Sequence, residues 1–241
     1  MRIPTVRPTK FIKEIEEVLK DFSEFLNSDD IKKSFPRLHK DNIFNRRFSA
    51  ILDTFTDLKS VVERLEENIQ ESINIGRLTQ SQEEIDQELY RKQDTLTRQN
   101  KADLRTMYVN SKIFLDEYTG LLAFIFNWRG ISNSSVTKFY SSLAYYSGLE
   151  EDILAFKKVC LNRLKAINVY ITEYRDDKVV HNHQKHKQQT EWFLNNMDGE
   201  IRLVGGNRPS ITPQEILFIV VGYVDYSERF CIEWLEFKIV K

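Results

Sequence analysis

Apolar positions recur at steps of three and four along most of the chain, a period that predicts helices rather than strands. Residues 9–27 place Phe11, Ile12, Ile15, Val18, Leu19, Phe22 and Phe25 on one face of an amphipathic helix. From about 41 to 75, Phe48, Ile51, Phe55, Leu58, Val62, Leu65 and Ile69 alternate steps of three and four, which makes a heptad seam that needs a partner helix. Gly76 is expected to end this helix, and Ser81 with Glu84 reads as a capping box that opens the next. Apolar residues are sparse over 83–99, where Ile85, Leu89 and Leu96 stand among dense charge. That segment is expected to run back along the seam as a hairpin, with much of its surface in water.

After Asn100 the pattern turns richly apolar, through Leu104, Met107, Tyr108, Phe114, Leu115, Tyr118, Leu121, Leu122 and Ile125. A domain boundary is therefore expected near residue 100, dividing an N-terminal helical region, 1–99, from a helical bundle, 100–241, although one long helix could cross it. Ser134 or Ser135 caps a further helix that is expected to stop at Gly148. The next helix starts near Leu149 and buries Ile153, Phe156, Cys160, Leu164, Ile167, Ile171 and Tyr174. Residues 190–212 read as an irregular insertion with a short extended piece at 201–204. Thr212-Pro213-Gln214-Glu215 then supplies an N-cap, a proline at the first helical position and a capping glutamate, the strongest helix start in the chain. The last helix carries Ile216, Leu217, Val220, Val224, Cys231, Trp234 and Leu235.

Composition agrees with an all-α fold. Glycine and proline number only 8 and 5 in 241 residues, too few turn residues for a sheet protein of this size. The longest apolar run, 216–224, is well short of the roughly 20 residues a bilayer span needs. The start lacks the apolar stretch of a secretory signal, and both cysteines lie in apolar helical patterns, so a reduced cytoplasmic protein is expected. Thirty-five basic against 36 acidic residues give a net charge of −1, which argues against a protein that coats nucleic acid by bulk electrostatics. No phosphate loop, dinucleotide-binding glycine motif, serine-hydrolase elbow or cysteine pair at zinc spacing occurs.

One segment departs from the helical pattern in a chemically informative way. Beyond Tyr174 the inward face of its helix continues into Lys178 and His181, within Tyr-Arg-Asp-Asp-Lys-Val-Val-His-Asn at 174–182. Charged groups are rarely left buried without a partner, so this end should border a cleft, an interface or solvent. Arg175, a polar residue directly after it, and His181 after five intervening positions resemble the signature of the HEPN superfamily. The resemblance covers about 100–241 as a four-helix bundle of segments 101–127, 135–147, 150–182 and 213–236, and it leaves the first 100 residues as an addition. The Val179-Val180 pair and the 190–212 insertion depart from the pattern.

The resemblance implies metal-independent RNA cleavage by attack of a 2′-hydroxyl on the adjacent phosphate, with no cofactor and no metal. On that reading His181 is the acid or base and Arg175 clamps the phosphate, as suits an imidazole and a planar guanidinium. Asp176 is the residue that orients one of them, but Asp177 lies one helical turn before His181, and the choice between the two stays open. Lys178, Asp177, Asn182 and Lys185 are expected to touch substrate. On an ideal helix Arg175 and His181 stand roughly 120° apart, too far to converge easily on one phosphate. A composite site across a homodimer is therefore expected, with RNA as substrate and an antitoxin or regulatory protein as a further partner, in a toxin or phage-defence setting. His181, His183 and His186 could suggest zinc, but only His183 and His186 share a face and no cysteine is near. The competing reading is a non-catalytic helical interaction or nucleotide-binding module, in which the heptad helix recruits a partner and 175–181 is a solvated helix end.

Overall fold

The computed structural model describes residues 7–80, 86–127, 130–132, 134–146, 151–172, 191–195, 200–204 and 212–240. Helix α1 (Pro8–Leu26) begins with proline at its first position, where the missing N–H costs nothing. Two short helices, α2 (Asp29–Ser34) and α3 (Pro36–His39), and a 3₁₀ turn lead into α4 (Ile43–Gln80). Helix α4 does not stop at Gly76 but runs on to Gln80, 38 residues in all. A helical glycine costs only about 1 kcal/mol, and the buried Ile75 beside it keeps this stretch packed.

Helix α5 (Gln87–Phe126) opens on Asp86, whose carboxylate accepts from the Glu88 and Leu89 amides at 2.8 and 3.3 Å. The expected capping box at Ser81 and Glu84 lies outside the described residues. Helix α5 runs unbroken through residue 100, so the boundary expected there falls inside one helix of 40 residues. Its C-terminus closes with Asn127 in the left-handed region (φ 52°), whose N–H returns to the Ala123 carbonyl. The Arg37 guanidinium donates to the carbonyls of Phe124 and Ile125, placing a cation at the negative end of the helix.

α4 and α5 form the expected antiparallel hairpin, but with a different register. Phe55 meets Phe114 with ring centroids 5.8 Å apart, Arg64 donates to Asp103, and Lys92 reaches Glu71. The seam from Phe48 to Ile69 therefore lies mainly against the part of α5 after Asn100, and the charge-rich start of α5 faces the end of α4. The richly apolar stretch after Asn100 is the face that can bury a heptad stripe; the charged 83–99 stretch cannot.

Helix α6 (Val136–Tyr145) is capped by Ser135, whose hydroxyl accepts from the Lys138 amide at 3.2 Å. It ends at Tyr145, ahead of the stop expected at Gly148, which lies outside the described residues. Helix α7 (Glu151–Ile167) continues into a π-helical turn, Asn168–Thr172. Strands β1 (Glu191–Asn195) and β2 (Glu200–Val204) pair antiparallel, Phe193 opposite Arg202, where an irregular insertion with one extended piece is expected. The capping box at the start of α8 (Pro213–Val240) forms as read. The Thr212 amide donates to Glu215 Oε2 at 2.7 Å and the Glu215 amide to Thr212 Oγ1 at 3.2 Å.

A single apolar cluster draws on α1, α4, α5, α6, α7 and α8. α1 lies along both α8 and α4: Phe11 meets Phe218, Phe22 meets Tyr118 of α5, and the Thr9 amide donates to Glu66. The N-terminal helices thus share one core with α5 to α8 and are not appended to its outside.

Candidate functional site

Arg175, Asp176, Asp177, Lys178, His181, Asn182 and Lys185 all lie outside the described residues, as do His183 and His186. The helix that leads to them is described as far as Thr172. Its inward stripe of Phe156, Cys160, Leu164, Ile167 and Ile171 is fully buried, as its spacing predicts. The π-helical turn at 168–172 was not legible in that spacing. Such a turn bonds each amide five residues back and widens the helix, so the face of an ideal α-helix cannot be extrapolated from Leu164 past Thr172. The assignment of Lys178 and His181 to the inward face rests on that extrapolation and loses its geometric basis.

Polar side chains hold the turn. Thr137 Oγ1, in the first turn of α6, donates to Asn168 Oδ1 at 3.2 Å. One residue earlier, the Val136 amide donates to Asp116 Oδ1 of α5 at 2.7 Å. The same carboxylate receives the Lys112 ammonium at 2.5 and 2.6 Å, and the Lys112 side chain is only 4% exposed. One ion pair on α5 therefore fixes the N-terminus of α6, and α6 in turn holds the turn that follows Ile167 of α7.

A second polar seam runs between α5 and α8. Tyr118 donates to the Val224 carbonyl at 3.0 Å, and the Tyr223 hydroxyl meets Thr119 Oγ1 at 3.2 Å. Ser227 and Glu228 continue the seam and are both buried. Burial pushes the Glu228 carboxyl up to about 7; Asp225 adds to the rise, Arg229 opposes it, and Asp21 of α1 adds again. Burial also pushes both phenols well above the usual range, and it raises the thiols of Cys160 and Cys231. Neither cysteine is a nucleophile near neutral pH in this state.

A groove of about 520 Å³ between α7 and α8 is lined by Phe156, Tyr226, Phe230, Trp234 and Phe237. Arg163 lies over the Tyr226 ring at 5.1 Å and Lys238 over Trp234 at 5.8 Å. Arg229 at its rim is held by Asp225 at 2.6 Å, and Glu233 adds a negative charge. The groove thus carries little excess positive charge with which to attract phosphate. Among the described residues, no group of three His, Cys, Asp or Glu side chains could hold a metal ion.

Two of these features leave a trace in the sequence. Lys112 and Asp116 stand four apart among the apolar positions of α5, the spacing of a helical ion pair. Glu228 falls four positions after Val224 and three before Cys231, a charged residue at a core position of α8. The bonds that Asp116 makes to another helix have no such trace.

The described residues define an all-α protein with one small hairpin, and among them no helix is long and apolar enough to cross a membrane. No family model, curated protein or solved structure matches the chain.

Proposed function

We propose that this chain is a metal-independent endoribonuclease of the cytoplasm, resembling the HEPN superfamily and serving as a toxin or in phage defence. The observation that carries the reading is the pairing of Arg175-Asp176 with His181 directly beyond a helix whose inward stripe is buried to its last described turn. π-Helical turns are rare and are found frequently at functional sites, and the one at 168–172 ends three residues before Arg175. In the reaction, the substrate 2′-hydroxyl attacks the adjacent phosphorus and the bond to the 5′-oxygen breaks. The products are a 2′,3′-cyclic phosphate and a 5′-hydroxyl. His181 transfers a proton, Arg175 stabilises the charge on the phosphorane, and Asp176 or Asp177 orients one of them. Lys178, Asn182 and Lys185 contact the RNA backbone, and a homodimer brings two copies of the segment together.

The competing reading, in which the heptad helix recruits a partner, loses its main support because Phe55 and Leu58 are 4% and 0% exposed within the chain itself. The purified protein is to be incubated with mixed RNA in EDTA and the fragment ends analysed. Cyclic phosphate ends are expected from the wild type. His181→Ala and Arg175→Ala should each lose a factor of about 10² to 10⁴, while His183→Ala and His186→Ala stay near wild type. Equal cleavage by wild type and His181→Ala would refute the assignment.

A further inference from the structure

The seam where α1 lies along α8 and α5 carries an arrangement that the reaction above does not use. Glu228 is 6% exposed there and has neither a hydrogen bond nor an ion pair among the described residues. Its charged neighbours are Asp21 of α1 and Asp225 and Arg229 of α8, two of them of its own sign, while the Tyr118 phenol of α5 and the Cys231 thiol beside it are neutral. The one cation among them, Arg229, is turned to Asp225 through Nε at 3.0 Å and Nη2 at 2.6 Å. Protonated Glu228 can lie in this seam at little electrostatic cost. Ionised Glu228 is a carboxylate with little access to water and two acidic neighbours, one of them on the opposing helix.

We propose that Glu228 is a proton-controlled latch for helix α1, which docks on α8 and α5 when the carboxyl is protonated and loosens when it ionises. The sign follows from linkage. The docked carboxyl titrates near 7 and a solvated one near 4.3, so the docked state binds more protons and loses stability as pH rises between these values. Below the lower value the docked state keeps its full advantage, and above the higher one the loss is complete. Both buried phenols and the Cys231 thiol are pushed further above this window. Release of α1 would uncover Phe11, Ile12, Ile15, Leu19 and Phe22, which are buried at present.

Hydrogen exchange of the full chain, read by mass spectrometry from pH 5 to 8.5 and corrected for the intrinsic rate, tests the latch. Protection of the α1 amides is expected to fall about tenfold between pH 6 and pH 8, while that of the α4–α5 hairpin stays level. Glu228→Gln should abolish the fall and keep α1 protected at high pH. Asp21→Asn, at an exposed position, should make the fall shallower, and it serves as the test should Glu228→Gln fail to fold. Three results would each overturn the proposal: constant α1 protection in the wild type, an equal loss in the hairpin, or an unchanged slope in Asp21→Asn or Glu228→Gln.

Discussion

Replacing Asp116 by alanine should be among the most destabilising single changes available in the described part of this protein. The carboxylate receives the Lys112 ammonium at 2.5 and 2.6 Å and the Val136 amide at 2.7 Å. The two ends of the pair differ in access to water: the Lys112 side chain is 4% exposed and that of Asp116 is 26% exposed. Removing one partner of a buried pair typically costs about 3–5 kcal/mol, and losing an N-terminal helix acceptor costs about 1 kcal/mol more. Some relaxation of Lys112 towards solvent offsets part of this, so a loss of about 3–4 kcal/mol is expected for Asp116→Ala. At about 2–4 °C per kcal/mol for a chain of this size, the midpoint should fall by roughly 10 °C.

The unequal exposure makes the prediction sharper. Lys112→Met leaves a carboxylate that keeps its amide donor and reaches water, so it should cost only about 1 kcal/mol. Adding Lys112→Met to Asp116→Ala should restore about 2 kcal/mol, since no buried charge then remains unpaired. Asp116→Asn keeps an acceptor for Val136 but not the charge, and should fall between wild type and Asp116→Ala. Urea unfolding followed by circular dichroism measures all four variants. A loss below 1 kcal/mol in Asp116→Ala, or strict additivity in the double variant, would refute the reasoning.

Thr212→Ala removes one of the two reciprocal bonds at the start of α8 and should destabilise by about 1 kcal/mol, a drop of about 2–4 °C in a thermal melt; an unchanged midpoint would show that the cap does not limit stability. Cys160 and Cys231 are both 0% exposed, so a disulfide-exchange reagent should titrate neither thiol in the native protein and both in denaturant. Rapid native labelling of either would contradict the packing of α7 and α8.

The helices were legible from local signals because each was written in a few neighbouring residues. The apolar stripe of α1, the Thr212–Glu215 box and the inward face of α7 from Phe156 to Ile171 each follow from spacing alone. Where those signals misled, the cause was packing at long range. Gly76 does not end α4, because burial of the turn before it, through Ser72 and Ile75, outweighs a cost of about 1 kcal/mol. The heptad seam packs on α5 mainly after Asn100, since that stretch presents the richer apolar face.

The chemistry divides along the same line. Arg175, Asp176 and His181 stand out from a short run of sequence, because residue type and order are all that such a motif requires. The bond network through Lys112, Asp116, Val136, Thr137 and Asn168 joins three helices that no local period connects. Glu228 is similar: the chain places a carboxylate on the core face of α8 with Asp225 one turn before it, but burial under neighbouring helices is what chiefly makes its ionisation costly, and Asp21 of α1 adds to that. Sequence determined which segments are helical and which face of each is apolar, through rules that act within one or two turns. Tertiary structure decided which faces meet and which charges lose their water, since desolvation depends on neighbours remote in the chain.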